Sequence, residues 1–537
     1  MLRADTNNFG YISCNKQDFL SQFKHWSWVI LLIFSLLQCI FFYSDSNLVA
    51  IITICFSWYV FTNTILRKKL LIKFPLSIFL IFGFTFTQFY LPLIFTFLER
   101  KPVVHNLLLP YQVFLHMFLD FFILVVAHKI YRSNYLAIKV YVRTILKKWS
   151  FFKTPSDKQI WIIGVIGIAA TFYVYIYTKA ATQVTGSAFN KLIEAMIPYS
   201  YAPFFIPLGK LYGNARLYKN RTTIFLVVFT IILFVISVSR NSRGAFMYGF
   251  TAIGFGYTLG LLLGYYKTPP LKITRLIAIV FACWIFTNPL ADLGTAMVIT
   301  RAQRADISSL ELFENTLKIF EDKNAIVAKR KEDQNLEQST WNENYINNIF
   351  LARFCNIKYN DLSLIQANKV IDSNDDILEF TLSRILLIFP APIVEGLGLI
   401  ENKRKSIGYS FGDFLYAKAT SDFDMLGANL AGHLDGTGMA AFGWFYLLFL
   451  GIGIIPVYAL FDAFFIHTPI LVDPKKKYFI WQGHFSLCGL LALTSIFQFL
   501  PSESVVTTAT FILRIWIQMI FLYFILYKFS FIVSRFF

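Results

Sequence analysis

The sequence predicts an all-α polytopic membrane protein with about twelve transmembrane helices and one large extracytoplasmic, partly helical loop. Three observations predict it. The chain of 537 residues is 56% hydrophobic and holds 60 Phe, more than a soluble core buries. Only 15% of its residues are charged, against about 25% in a soluble domain. Apolar runs recur at a length that covers the hydrocarbon core, about 20 helical residues for about 30 Å.

The elements follow in order. Residues 1–25 form a polar tail, placed in the cytoplasm by the charge argument below. The run from Trp26 to Tyr43 reads as a first anchor, because a cleaved secretory signal has a shorter core and a small-residue cleavage site. Further apolar runs lie at 48–66, 75–97, 110–128, 160–178, 194–212, 223–239, 244–266 and 275–292, which completes a first membrane block over residues 26–292. Residues 293–436 are the large loop, and 437–466, 479–500 and 505–527 are the last spans, within 437–537. Cys39, Cys55, Cys283 and Cys488 lie in apolar runs, Cys14 in the tail and Cys355 in the loop, so neither a disulfide framework nor a C-x-x-C metal spacing is present.

Charge sets the expected sidedness. Lys and Arg concentrate in cytoplasmic loops of membrane proteins, whereas acidic residues carry little topological information. Alternate loops are basic: Arg67-Lys68-Lys69 with Lys73; Lys129 through Lys153; Arg216, Lys219 and Arg221; Lys267 to Arg275; Lys475-Lys476-Lys477; and Lys528 with Arg535. These and both termini are expected inside. The formal net charge of +18 then reflects topology and contact with membrane lipid, and nucleic acid is not an expected partner, since the cations are spread over separate loops.

Most acidic residues fall in the 293–436 loop, expected outside. Within it, 307–331 carries Leu310, Phe313, Leu317 and Phe320 at helical spacing, and 349–371 reads as a second amphipathic helix. The apolar stretch from Phe380 to Ile400 is broken by Pro390, Pro392, Gly396 and Gly398, which fits a re-entrant or interfacial segment better than a span.

The candidate site residues are mostly outward cations. Ser239-Arg240-Asn241-Ser242-Arg243-Gly244 separates two uncharged runs, and placing two arginines in an outward hairpin runs against the positive-inside bias. The planar fork of Arg240 and Arg243 suits the oxygens of a lipid-linked phosphate, while the structural alternative is snorkelling to head groups. Arg301, Arg304, Arg353, Arg384 and Lys403-Arg404-Lys405 lie on the same side and either converge on the same anion or pair with local carboxylates. His433, in Gly432-His433-Leu434-Asp435-Gly436, has the pKa range of a general base, with Asp435, Asp424 or Asp422 to orient it or to act instead; a capping role is the alternative. His116 and Asp120 share one face of the 110–128 run, where they mark either a proton-coupled transporter or an interhelical hydrogen bond.

This order of features resembles the Wzy-type O-antigen polymerases, within the broader group of oligosaccharide repeat-unit polymerases. The resemblance rests on Ser242-Arg243-Gly244 in an outward hairpin, the segment Arg353 through Ile371, the Pro-containing stretch Ile385 to Pro392, Gly408-Tyr409-Ser410-Phe411, and the Gly-rich entry from Gly436 to Gly453. It covers roughly the second half of the chain. Many members follow the apolar stretch with Pro-Arg and a Trp-Pro-x-Lys-Pro type run; here Phe389-Pro390-Ala391-Pro392-Ile393 stands instead, and cations arrive only at Lys403. The resemblance implies an undecaprenyl-pyrophosphate-linked oligosaccharide as substrate, membrane lipid as surroundings, a flippase and a chain-length regulator as partners, and glycosyl transfer in the bacterial inner membrane without cofactor or metal. The residues fit that account: His433 or a nearby carboxylate would deprotonate the acceptor hydroxyl, Arg243 and Arg240 would neutralise the departing pyrophosphate, and Arg384, Arg353, Arg301, Arg304 and Asp435 are expected to hold substrate. A ligase that transfers finished glycan to another acceptor, and a transporter of a lipid-linked or anionic substrate, remain the alternatives.

Overall fold

The computed structural model describes residues 19–134, 136–177, 188–214, 220–239, 243–268, 272–305, 307–335, 341–370, 374–389, 391–399, 409–428, 430–473, 478–500 and 503–536. Among them, eight helices are long and apolar enough to cross a membrane: Phe19–Phe41, Asp45–Ile65, Pro75–Leu98, Pro110–Asn134, Asp157–Tyr175, Arg221–Ser239, Leu434–Asp462 and Thr507–Val533. The chain is an α-helical membrane protein.

Local chemistry explains where these helices begin. Ser44 Oγ accepts the Asn47 N–H at 3.2 Å, and Asp45 adds negative charge to the first turn. Pro75 opens the next helix at a position where its missing N–H costs nothing. The two donors after it, Leu76 N–H and Ser77 N–H, go to Asp462 Oδ1 at 3.1 and 3.2 Å, a cap supplied by the far end of another helix. Pro92 is carried within the same span just after a wider turn at Phe86–Tyr90. Residues on Pro75–Leu98 are 78% buried over its apolar window, against 22% for Phe19–Phe41 and 28% for Arg221–Ser239, so the former is the central helix and the latter two are peripheral.

Three expected spans take other forms, and a fourth, 244–266, is helical over Arg243–Leu262. Ile197–Tyr212 is a tight 3-10-type helix with Pro203 and Pro207 inside, and Leu208 leaves helical geometry altogether. It packs so closely on Asp157–Tyr177 that a Cβ at Gly167 would lie 2.1 Å from the Ser200 nitrogen. The helix after the arginine hairpin, Arg243–Leu262, has Thr251–Leu262 as its described apolar part. The 275–292 run is Ile273–Thr287, ended by non-helical Asn288 and followed by Pro289–Ile299. The 479–500 run begins as a strand: Phe465–Asp473 and Tyr478–Phe485 pair antiparallel, with Phe465 opposite Phe485 and Ile470 opposite Ile480. Aromatic and β-branched residues favour this hairpin, and Gln482, Gly483 and His484 interrupt the helical reading. Among the described residues the fold is therefore all-α apart from one two-stranded hairpin.

In the 293–436 segment the expected 307–331 helix is two, Ser309–Glu321 and Lys323–Asn335, because Asp322 Oδ1 turns back to cap Asn324 and Ala325. The expected 349–371 helix begins only at Ile357, so Arg353 lies in a short turn before it and does not start it. The Pro-broken stretch is interrupted as expected, into Asn374–Leu386 and Ala391–Gly396.

The two ends of the bundle differ. At one, Lys101 Nζ reaches Asn347 Oδ1 at 2.9 Å and Glu99 accepts the Asn347 and Asn348 N–H groups, tying the 99–109 connection to the large segment. At the other, Lys139 Nζ donates to the Lys73 carbonyl at 2.7 Å and Thr154 to that of Tyr212, beside the strand hairpin.

Candidate functional site

The helix Leu434–Phe442 starts where its sequence provides a cap. His433 has extended geometry and its Nδ1 accepts the Asp435 N–H at 3.5 Å, while Asp435 occupies the first turn, where the helix dipole favours an anion. Gly436 follows because no side chain fits: a Cβ there would stand 2.2 Å from the Ser363 carbonyl carbon. That contact brings the helix Ile357–Lys369 against the cap, and Ser363 Oγ takes the His433 N–H at 2.8 Å. One turn earlier, Asn360 Nδ2 donates to Asp435 Oδ2. His433 Nδ1 stands 3.6 Å from the same oxygen.

The second half of the site comes from Pro110–Asn134. Its start is fixed by Asp361, whose Oδ1 accepts the Leu108 and Leu109 N–H groups at 3.0 and 2.8 Å while its Oδ2 pairs with Lys358 at 2.8 Å. The helix then presents His116 and, one turn on, Asp120. His116 Nδ1 meets the Tyr446 hydroxyl at 2.8 Å, and its ring stacks on Trp444 at 4.8 Å with 3° between planes. Asp120 faces Tyr446 and Asp435. The two pairs that the sequence displays separately, His433 with Asp435 and His116 with Asp120, thus form one buried polar centre.

This centre is buried and incompletely paired. His433 is 2% exposed, and Asp120 and Asp435 are both 0%. No hydrogen bond of ordinary geometry reaches His433 Nε2, Asp435 Oδ1, Asn360 Oδ1 or either Asp120 oxygen. Buried polar atoms left open at that density are costly, and mark a place where protons, water or a ligand complete the set. Burial pushes the His433 imidazole below its usual range, with Asp435 opposing, so the ring is neutral near pH 7 and competent as a base. Comparison with protein-family models, curated proteins and solved structures finds no match for this chain.

Arg384 lies in an adjoining shell. Its guanidinium stacks on Phe380 at 4.4 Å and Nη2 donates to the Tyr409 carbonyl. Glu503 and Asp413 supply opposite charge nearby. Glu503 connects this shell to the cap: its Oε2 takes the Phe411 N–H at 3.3 Å, and its carbonyl takes the Thr437 hydroxyl at 2.7 Å.

Of the other expected arginines, the two whose side chains are described, Arg301 and Arg353, are not brought to this centre. Arg301 and Arg353 are exposed in short turns. Arg240 and the 403–405 cations fall outside the described residues, as do the side chains of Arg243 and Arg304. The helix that leads into the arginine hairpin packs through Val238 on Leu293 and Met297, beside Phe313 and Phe320. Asp422 is a turn cap that accepts the Asp424 N–H at 3.2 Å. Among the described residues, no group of His, Cys, Asp and Glu has the arrangement of a metal site.

Sequence reasoning missed Asn360, Ser363, Trp444 and Tyr446. Asn360 and Ser363 sit three apart on one helix face, but Lys358, Asp361, Gln366 and Asn368 in the same helix mask that signal. The two aromatics carried none in a chain this rich in Phe and Tyr.

Proposed function

We propose that the chain is a membrane glycosyltransferase that polymerises polyprenyl-pyrophosphate-linked oligosaccharide units at the outer membrane face. The observation that carries this reading is the His433–Asp435 pair, an imidazole with one nitrogen beside a buried carboxylate and the other open. That is the arrangement of an oriented general base. The acceptor hydroxyl oxygen attacks the anomeric carbon of the donor as the bond to pyrophosphate breaks. The hydroxyl proton passes to His433 Nε2 in the tautomer whose Nδ1 proton turns to Asp435 Oδ2 in place of accepting the Asp435 N–H, and the lipid pyrophosphate leaves with the bonding electrons. Arg240, Arg243 and Arg384 neutralise the charge that develops on it. Because His433 is 2% exposed, the acceptor reaches it only when the covering chain opens. The Ser-Arg-Gly hairpin and the order of later elements support the polymerase assignment.

One observation favours a second reading. Asp120 and Asp435 face each other in a buried centre with His116, and such a carboxyl pair can hold and pass a proton, as in a coupled transporter of an anionic substrate. A deletion strain complemented with wild type, His433→Ala or Arg243→Ala separates the readings on a surface-glycan gel. Glycan capped at a single repeat supports polymerisation. Loss of surface glycan with polymer stranded on the lipid carrier identifies a ligase. An unchanged ladder rejects both enzymes and leaves proton-coupled transport, read directly as proton uptake by reconstituted vesicles and its loss in Asp120→Asn.

A further inference from the structure

At the end of the bundle opposite the polar centre, the structure has an open, groove-like cavity of about 510 Å³. Its walls carry Lys73, Lys129, Arg132, Lys139, Arg143 and His467. The rest of the lining is largely apolar and includes Leu70, Phe74, Leu136 and Val140. Among the described residues, none of the five Lys and Arg side chains is in an ion pair, although paired cations occur elsewhere in the chain. Two of them keep an open donor in a buried position: Arg132 Nε and Arg143 Nε have no hydrogen-bond partner. Lys139 is only 5% exposed. It is held over the Phe74 ring at 4.5 Å and by the Lys73 carbonyl at 2.7 Å, so its position is fixed rather than trailing in solvent.

The nearest carboxylate does not neutralise this cluster. Asp462 acts on Lys139 and Arg143 electrostatically, but its own oxygens are engaged by Leu76, Ser77 and Tyr131. Burial pushes Lys139 down to about 8, with Asp462 raising it and Arg143 and Lys73 lowering it. Burial pushes His467 to about 4, so it lines the cavity as a neutral ring. Uncompensated cations packed this closely repel one another, and the cost is removed by an anion that several donors share.

We propose that this cavity binds the phosphate group of an anionic lipid. Arg132 and Arg143 fork onto the phosphate oxygens, Lys139 contacts them from the buried side, and Lys73 and Lys129 close the mouth. The first methylenes of the chain lie on Leu70, Phe74 and Leu136. The mixed lining argues for an amphiphile: a free phosphate uses the cations but leaves the apolar wall unused. The positive-inside bias assigns this end to the cytoplasm, where anionic head groups are abundant. The site is independent of the polar centre and of the reaction proposed there.

The test uses the full-length protein in nanodiscs of phosphatidylcholine containing a minor fraction of phosphatidate or phosphatidylglycerol, followed by delipidation and native mass spectrometry. Wild type is expected to retain one anionic lipid. Arg132→Gln and Arg143→Gln are each expected to weaken retention about tenfold, the effect of one charge-assisted bond. Lys267→Gln with Lys272→Gln, exposed basic residues of the same charge class, is expected to change nothing. Equal loss in that control overturns the proposal in favour of diffuse surface attraction, and undiminished retention in the cavity variants overturns it outright. Inorganic pyrophosphate is the second arm: failure to displace the lipid supports the amphiphile, and full displacement at equal concentration overturns it in favour of a soluble phosphate. Lys139→Met guards against misfolding, since removing a buried cation should leave thermal stability intact while lipid is lost.

Discussion

At the residue scale, the decisive groups are those whose neighbours use only part of their bonding capacity. Asp435 spends Oδ2 on Asn360 and stands 3.6 Å from His433, while Oδ1 is left open. Asp435→Asn keeps the shape but removes the charge that orients His433, so glycan polymerisation should fall about 10²–10⁴-fold with expression unchanged, read as ladder intensity. An Asn variant with a normal ladder would sink the oriented-base reading. Arg243 should behave differently: Ala abolishes the ladder, and Lys restores it only in part, because a point charge lacks the fork. Glu503 gives a pH prediction. Burial raises its carboxyl above the usual 4.5, and attraction from Arg384 is the smallest opposing influence. The folded chain therefore binds this proton more tightly than the unfolded chain. The stabilisation is complete below about pH 4.5 and is lost as pH rises through the raised folded value. Glu503→Gln should flatten that decline, giving a melting temperature at neutral pH no lower than wild type; a Gln variant that melts lower at pH 7 than at pH 5 by the wild-type margin would refute it.

At the element scale, close approaches hold the site in place. Gly436→Ala drives a methyl into the Ser363 backbone, which cannot yield as a side-chain tip would. The helices 357–369 and 434–442 must separate, costing about 1–3 kcal/mol and breaking the His433 N–H bond to Ser363, so thermal stability in detergent and activity should fall together. Asp462 does similar work at the other end, joining three spans by capping Pro75–Leu98 and accepting the Ser77 and Tyr131 hydroxyls at 2.6 and 3.2 Å. Asp462→Ala should cost roughly 2–4 kcal/mol and Asp462→Asn less, since the amide keeps one acceptor. These elements also show what a sequence discloses. His433 with Asp435, and His116 with Asp120, are visible because each pair is local in the chain. Their convergence is not, because it depends on Tyr446 meeting His116 across 330 positions. The strand hairpin was hidden for a related reason: Phe, Ile and Trp serve a strand and a membrane helix equally, so hydropathy alone reads 479–500 as a span.

At the scale of the whole molecule, the segregation of charge along the bundle is the property that fixes what each end can meet. The cavity cations, Lys139 to Lys73 and the strand hairpin gather at one end, while Glu99, the 341–369 segment and the His433 cap gather at the other. The alternation of basic loops made that separation legible without any contact being known. The number of crossings was less legible, because runs such as 194–212 have the apolar content of a span but carry prolines that tighten the chain into a buried 3-10 helix. Sidedness is a separate question, since it depends on which loops share an end and not on how each apolar run is coiled. Single cysteines test it in a background whose native cysteines are replaced. Lys148→Cys, exposed at the basic end, should react with a membrane-impermeant maleimide only after the cells are opened, and Ser421→Cys, exposed near the cap, should react in intact cells. The reverse pattern would put the His433 centre on the cytoplasmic face, where an acceptor built outside cannot arrive, and would end the polymerase reading whatever the chemistry of the centre. The expected pattern would put the open Nε2 of His433 and the anion cavity on opposite faces, as the proposed outer reaction and the proposed inner lipid site require.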